Sequence, residues 1–430
     1  MLSRRQFIKV AASSTGLFIS ACHNKHPKSS ATAKVVIIGG GFGGATAAKM
    51  LKTLDPTIQV TLIEPKPHYI SCPASNWVLA GLTSVQSLYF SYKTLADDYD
   101  INVIQQFVTA IDPDKHLVIC SDQQKIHYDR LIVAPGIDFR WDIIEGHNET
   151  TSHLIPHAWK AGAQTTLLHN QLKAMPDGGT VAICAPPNPF RCPPGPYERA
   201  SMIAHYLKQH KPKSKIIILD PKSTFSKQNL FIEGWKKHYG YGSKQSMIEW
   251  HSIADNPIIK IDIKNKVLET DFGDKFKADV INYIPAQKAG KIAHTATLCD
   301  ESGWCPVSHK TSESTLHPNI HIIGDASIHN PLPKSAFAAN AEAKTCAFAI
   351  AALLNNIEIP EPTWINTCYS LITADQGISI AMVYKLNLEG QIIKVEGAGG
   401  VTKNTNQQSL ALEAEFARKW FASITADSFG

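Results

Sequence analysis

Apolar positions in the first part of the chain fall into short unbroken runs of strand length. The apolar run 35–38 (VVII) and a second strand, 59–63 (QVTLI), flank a small-residue helical stretch, 45–54. Runs of this size without polar alternation mark strands buried on both faces, as in parallel sheets. Segment 65–82 is rich in proline and serine and reads as a loop. A polar helix near 93–99, a strand at 103–106 and a hairpin over 107–126 follow, the hairpin signalled by Asp112-Pro113-Asp114. Segment 128–136 is a buried strand ending in a Pro-Gly turn. Near residue 146 the pattern restarts, with a strand at 180–184, a helix at 197–209 and a strand at 215–219 that ends at Asp220. Segment 278–285 predicts a strand leading back towards the first unit. Segment 317–327 is a buried strand ending at Gly324-Asp325-Ala326, and a small-residue helix spans 335–354. The tail predicts a strand at 379–384, a polar loop at 397–408 and a final helix with Leu412, Phe416, Trp420 and Phe421 on one face.

The alternation predicts an α/β fold: two Rossmann-like βαβ domains plus a C-terminal α+β domain. The expected boundaries are 1–33 for a leader and linker, 34–145 and 287–358 for the two parts of a first nucleotide-binding domain, 146–286 for the second domain, and 359–430 for the C-terminal domain.

The first βαβ unit carries specific chemistry. Gly39, Gly41 and Gly44 form a G-x-G-x-x-G pattern between strand and helix, and the second strand ends at Glu64. The first glycine serves the tight turn, the second lets backbone N–H groups approach a pyrophosphate, and the third lets helix and sheet pack closely. The helix N-terminus favours the phosphates, and a carboxylate at Glu64 suits a ribose diol. The pattern does not distinguish FAD from NAD. The second βαβ unit has lost the glycine turn to prolines and Cys192, and proline has no N–H to offer phosphate. A nicotinamide nucleotide is therefore not expected there. A carboxylate at Asp325, at a strand end, suits the ribityl chain of a flavin.

Composition adds exclusions. The formal charge is +5, but residues 1–22 hold Arg4, Arg5 and Lys9 and no acid, and the rest is close to neutral. No basic stripe with interleaved aromatics suggests nucleic acid, and no apolar stretch after the N-terminus reads as a membrane span. Nine cysteines show neither C-x-x-C nor C-x-x-C-H spacing. Zinc ribbons, thioredoxin chemistry and a c-type haem on this chain are thus not expected, and the scattered histidines suggest no metal site. Residues 3–9, SRRQFIK, match a twin-arginine export signal, which implies a periplasmic protein that crosses folded with its cofactor. Residues 19–22, ISAC, also resemble a lipobox that would tether the chain at Cys22. The other reading is a plain signal cleaved nearby.

The segments HYISCPASN, PFRCPPGPYERA, GWCPV, IHIIGDASIHNPLPKS and NTCYS occur in this order. The chain resembles the flavoprotein subunit of flavocytochrome c sulfide dehydrogenase, within the FAD-dependent disulfide reductase superfamily, from about Lys34 to the C-terminus. The resemblance implies FAD held by Gly39, Gly41, Gly44, Glu64 and Asp325, and linked covalently through a thioether at Cys72. Pro73 follows Cys72 where the family pattern has an aromatic residue. The resemblance also implies a redox-active disulfide between Cys192 and Cys368, sulfide as substrate, and a c-type cytochrome subunit that carries the haem. A disulfide is an electrophile towards hydrosulfide, which gives such a pair a route for two electrons into a flavin. Glu198, six residues beyond Cys192, reads as a proton acceptor or as a carboxylate favoured by the helix dipole. Lys334 reads as a flavin-side cation or as a solvated lysine at a helix start. Cys120, Cys184, Cys299 and Cys346 read as inert small residues, and Cys305 has no assigned role. Two rival readings are a sulfide:quinone reductase, with the last helix serving a quinone site, and a non-catalytic flavin-binding electron-transfer partner.

Overall fold

Strand β1 (Lys34–Ile38) is buried from Val35 onwards, as its unbroken apolar run requires. Helix α1 (Phe42–Leu54) and strand β2 (Gln59–Ile63) complete the first unit, and β3 (Asn102–Ile104) and β4 (Arg130–Val133) follow. The second unit contains β5 (Thr180–Cys184), α2 (Gly195–His210), β6 (Lys215–Asp220), α3 (Gln228–Tyr239), β7 (Ile248–Ser252) and β8 (Val280–Tyr283). Then come β9 (Ile320–Ile322), α4 (Ala336–Leu354), β10 (Thr363–Leu371), β11 (Gly377–Leu386), β12 (Ile392–Val401) and α5 (Gln407–Phe429). This computed structural model describes residues 32–430; the twin-arginine stretch and Cys22 lie outside the described residues.

Two parallel sheets carry the fold. The first has the order β9-β4-β1-β2-β3 and the second β7-β6-β5-β8. Every neighbouring pair in both is parallel. The third, β10-β11-β12, is antiparallel. In the first sheet β1 sits centrally, and β9 brings the Gly324 turn to β4, two places from β1. The loops after β1 and β9 therefore open at the same carboxyl edge, where α/β sheets bind ligands.

Several expectations change. Segment 65–82 is not a plain loop. His68–Ile70 pairs with Tyr89–Ser91, and Ser75–Leu79 is a short helix. The hairpin is a three-stranded meander, closed by Lys125–His127. Segment 278–285 forms β8, which completes the second sheet beside β5, and it leads back as expected: the next strand, Gln287–Ala289, bridges to Ile137–Phe139. Residues 397–401 of the expected polar loop 397–408 belong to β12, whose glycine-rich sequence hides it. Helix α3, which buries Phe231, Trp235 and Tyr239 at helical spacing, and the meander over 258–277 are not among the expected elements.

The face of α5 is also different. Leu412 and Phe416 are 44% and 41% exposed, while Leu410, Ala414, Ala417, Ile424 and Phe429 are buried. The buried stripe has helical spacing, but it is built partly from alanines, so large side chains misdirect the reading. Helix α4 is long and apolar enough to cross a membrane by length and composition, contrary to expectation. It is a core helix here: its alanines lie against α1, and Ser335 caps it by accepting from the Ala338 N–H. The C-terminus returns to the start. Phe429 stacks on Tyr69 and Phe90, and Ser428 bonds Thr46 on α1 at 2.9 Å.

Candidate active site

The glycine turn is dictated by contact distances. Gly39 has φ of +98°, and a Cβ there would meet the Ala134 carbonyl oxygen at 2.3 Å. A Cβ on Gly44 would stand 1.8 Å from the Gly39 carbonyl oxygen, so α1 could not leave the strand as closely. At Gly41 the nearest heavy atom would be the Tyr69 ring at 3.4 Å, and the residue faces a cavity. The three glycines thus do different work: turn, open approach and close packing. Glu64 accepts from the Gly40 N–H at 2.9 Å and reaches the same cavity.

That cavity has a volume of about 880 Å³, the size of a large cofactor site. Gly39, Gly41, Glu64, Cys72, Cys192, Glu198, Asp325 and Cys368 all lie on its wall. Residues 296 positions apart, Cys72 and Cys368, meet there because the second sheet and β10 close over the edge of the first. Lys334 does not line it. The Lys334 ammonium donates to the carbonyls of Asp325 and Ser327, each at 2.8 Å, and sits 3.9 Å from the Trp304 ring centre. It is a brace for the Gly324–Ser327 turn rather than a cavity group, and burial pushes its ammonium pKa down.

Asp325 faces the cavity with one carboxylate oxygen, Oδ1, buried and unpartnered. Its other oxygen is 3.8 Å from Arg191 Nη1. Burial pushes its pKa up, against Arg191 and Lys334. A buried acceptor without a donor carries a cost on the order of 1–3 kcal/mol, which a ligand hydroxyl would relieve. The glycine cradle, the cavity size and this acceptor together fit an FAD. Cys72 is half-buried on the wall, its thiol donating to the Trp159 carbonyl at 3.4 Å.

Cys192 and Cys368 lie together on the cavity wall, near enough for each thiol to shift the other's titration. Both are free thiols in this structure and stand side by side, as the two partners of the expected redox pair would. Cys192 has φ of +59° and is held by its N–H on the Lys334 carbonyl at 2.8 Å. Gly195 follows because a Cβ there would strike Trp159 at 2.6 Å and crowd the Cys192 sulfur at 3.0 Å. Hydrogen bonding from Cys192 pulls the Cys368 pKa down; burial opposes this and Lys227 supports it. The same bond, with burial, pushes Cys192 up. Cys368 is therefore the better thiolate.

Glu198 stands in the first turn of α2 but is used by other elements. Its Oε1 accepts from the Leu371 N–H at 3.0 Å and from Trp77 Nε1 at 3.4 Å, and Oε2 accepts from Asn76 at 3.0 Å. The helix position and the place beside the thiols are both real.

Sequence reading missed three cations. Lys227 is buried and donates to the Cys368 carbonyl at 3.2 Å and to Ser370 Oγ at 2.9 Å. Arg199 is buried, held by Asn76, Asn282 and the His157 carbonyl, and lies 4.9 Å from the Trp159 ring. Burial lowers its pKa to about 10. Arg191 flanks Cys192 and faces Asp325. Arg191 and Arg199 sit within the segment PFRCPPGPYERA, which was a usable signal; Lys227 had none, being brought in by α3.

Residues 165–285 match the family described as sulfide dehydrogenase (flavocytochrome c) flavoprotein chain, central. Residues 360–429 match flavocytochrome c sulphide dehydrogenase, flavin-binding, and residues 33–169 match pyridine nucleotide-disulphide oxidoreductase. A sulfide dehydrogenase (flavocytochrome c) flavoprotein chain from Chlorobaculum thiosulfatiphilum is 60% identical over 47 residues, which cover 98% of that sequence and 11% of this one. The mitochondrial sulfide:quinone oxidoreductase of Dictyostelium discoideum is 24% identical over 331 residues, covering 72% of this chain and 68% of that one. In fold, the sulfide:quinone oxidoreductase of Aquifex aeolicus superposes with a TM-score of 0.71 at 19% identity, over 92% of each chain. With its two parallel Rossmann-like sheets, antiparallel third sheet and flavin-suited cavity, the chain belongs to the flavocytochrome c sulfide dehydrogenase flavoprotein family, FAD-binding oxidoreductases of the pyridine nucleotide-disulphide oxidoreductase superfamily.

Proposed function

We propose that this chain is an exported FAD-dependent sulfide dehydrogenase that oxidises hydrosulfide at a Cys192–Cys368 disulfide and delivers electrons to the haem of a c-type cytochrome subunit. The observation that carries the reading is the placement of these two thiols together on the wall of the cavity that also holds the glycine turn and Asp325. With the pair oxidised, the hydrosulfide sulfur attacks Cys192 Sγ, the S–S bond breaks, and its electron pair leaves on Cys368 Sγ. Cys192 then carries a persulfide. Cys368 is the leaving sulfur because a lower-pKa thiol leaves faster and Lys227, which donates to the Cys368 carbonyl, favours its thiolate. Glu198, oriented by three donors, takes the substrate proton. Bound FAD supplies a two-electron acceptor that gives electrons up singly, which suits a haem. Gly39, Gly41, Gly44, Glu64 and Asp325 hold it, and Cys72 anchors it covalently.

Export rests on SRRQFIK, and a lipid tether at Cys22 rests on ISAC. On this reading the protein works in the periplasm, where a covalent link prevents flavin loss. Denaturing the purified protein tests Cys72: yellow colour stays with the chain, and Cys72→Ala releases it. Colour released equally from both proteins overturns the link.

The deciding experiment adds sulfide anaerobically and follows the flavin spectrum, then offers an acceptor. The reading expects bleaching and reduction of a c-type cytochrome. A second reading, reduction of a quinone, draws on one observation. Trp420 lines the cavity while Leu412 and Phe416 lie exposed on the same helix. Preference for quinone over cytochrome supports it and defeats the first.

A further inference from the structure

A second pair of thiols stands outside the cavity. Cys299 Sγ and Cys305 Sγ are 3.6 Å apart. Cys305 is fully buried and Cys299 half-buried. They flank a tight turn in which the Asp300 N–H bonds the Trp304 carbonyl and the Gly303 N–H bonds the Asp300 carbonyl, each at 3.0 Å. Neither thiol was expected to do anything: Cys299 read as inert and Cys305 had no role. Like Cys192 and Cys368, these are two free thiols placed side by side. Among the described residues Cys120, Cys184 and Cys346 have no such neighbour in hydrogen-bond contact.

The pair is wired to the flavin-facing turn. The Cys305 N–H donates to the Ala326 carbonyl at 2.9 Å, and its carbonyl accepts from the Ile328 N–H at 2.8 Å. The adjacent Trp304 ring carries the Lys334 ammonium, which holds the Asp325 and Ser327 carbonyls. The Lys334 carbonyl in turn accepts from the Cys192 N–H. One short loop thus supports both Asp325 and Cys192.

We propose that Cys299 and Cys305 are a second oxidisable dithiol, which closes into a disulfide that braces the Gly324–Ser327 turn. The oxidant is a protein thiol oxidase that presents its own disulfide. Cys299 is the entry point because it alone is partly accessible, and the Cys305 S–H contact favours its thiolate. The Cys299 thiolate attacks the oxidant's disulfide, and one oxidant thiolate leaves. Cys305 loses its proton and attacks Cys299 Sγ of the mixed disulfide, releasing the second oxidant thiolate. One S–S bond forms in this chain, one is reduced in the oxidant, and two protons are transferred. The crosslink acts on a seven-residue loop, so its effect is local stiffening rather than a large change in unfolded-chain entropy.

The test is peptide mapping of the oxidised holoenzyme, denatured in guanidinium at neutral pH with excess N-ethylmaleimide and no reductant. The expected result is an unlabelled peptide joining Cys299 to Cys305, 2 Da lighter than the dithiol form, with Cys120, Cys184 and Cys346 labelled. Labelling of both Cys299 and Cys305 overturns the proposal. The brace is read separately by hydrogen exchange in a Cys192→Ser background, which removes the other pair. Mild reduction should speed exchange of the Cys305 and Ile328 amides several-fold, and Cys299→Ala should show the fast rate without reductant. Unchanged exchange on reduction overturns the bracing role, whatever the outcome for sulfide chemistry.

Discussion

The Lys227 ammonium donates to the backbone carbonyl of Cys368 at 3.2 Å. It is a buried cation beside two thiols, and burial pushes its pKa down while Cys368 and Glu198 push it up. Cys368 and Lys227 therefore stabilise each other's charged forms. Lys227→Met should slow sulfide-dependent flavin bleaching by about a hundredfold, the scale of losing one oriented donor at a reacting group. Lys227→Arg should restore most of the rate. Stopped-flow spectroscopy over a pH series checks this: the variant's rate should recover as pH rises and the Cys368 thiolate forms without its cation. An unchanged rate at every pH removes Lys227 from the mechanism.

Glu198 offers two oxygens to three donors, from Asn76, Trp77 and Leu371. Glu198→Gln turns one acceptor into a donor and leaves one of these groups facing another donor. A stability loss of about 1–3 kcal/mol is expected from the mismatch, together with a fall in bleaching rate of about a hundredfold or more from the lost proton acceptor. Glu198→Ala separates the effects. It should fold with a similar loss, and added small carboxylate buffers should partly restore its rate. No rescue and no rate loss in the glutamine variant would leave Glu198 a structural cap.

The glycine turn yields a paired prediction. Gly44→Ala places a Cβ 1.8 Å from the Gly39 carbonyl oxygen, with no flexible side chain to yield. Misfolding or aggregation is expected. Gly41→Ala meets only the Tyr69 ring at 3.4 Å, so the chain should fold with an unfolding free energy within about 1 kcal/mol of the parent. Its new methyl group points at the approach used by the cofactor, and flavin content should fall by more than half. Absorbance at 450 nm against protein concentration, with circular dichroism, resolves the two cases.

Beneath the Gly324 turn, Glu342 accepts from the Gly324 N–H at 2.6 Å and from Ser327 Oγ at 3.2 Å. Burial pushes its pKa up from 4.5 to about 8. Between these values the folded chain keeps a proton that the unfolded chain has lost, so stability contributed at this site falls as pH rises through the window. Below 4.5 and above about 8 the group adds no slope. Melting temperature should fall from pH 5 to pH 8, and Glu342→Gln should flatten that fall. An equally steep fall in the variant assigns the effect elsewhere.

Local chemistry made much of the chain legible in one dimension. The glycine spacing, the unbroken strands β1, β2, β5 and β6, the Ser335 start of α4 and the proline-filled second loop are properties of neighbouring residues. Backbone sterics, propensity and missing N–H groups act over a few positions, so they can be read without a fold. The segments bearing Cys72, Cys192 and Cys368 were also recognisable as a set. Their convergence on one cavity, 296 positions apart at the extremes, was decided by how β10 and the second sheet close over the first. Tertiary structure alone assigned Lys227 to Cys368, turned Lys334 from the cavity to Trp304, and brought Cys299 to Cys305. It also chose the alanine stripe of α5 over its larger side chains, since close approach of a helix to β11 rewards small residues. Burial is set by what packs opposite, and that is not written in the segment itself.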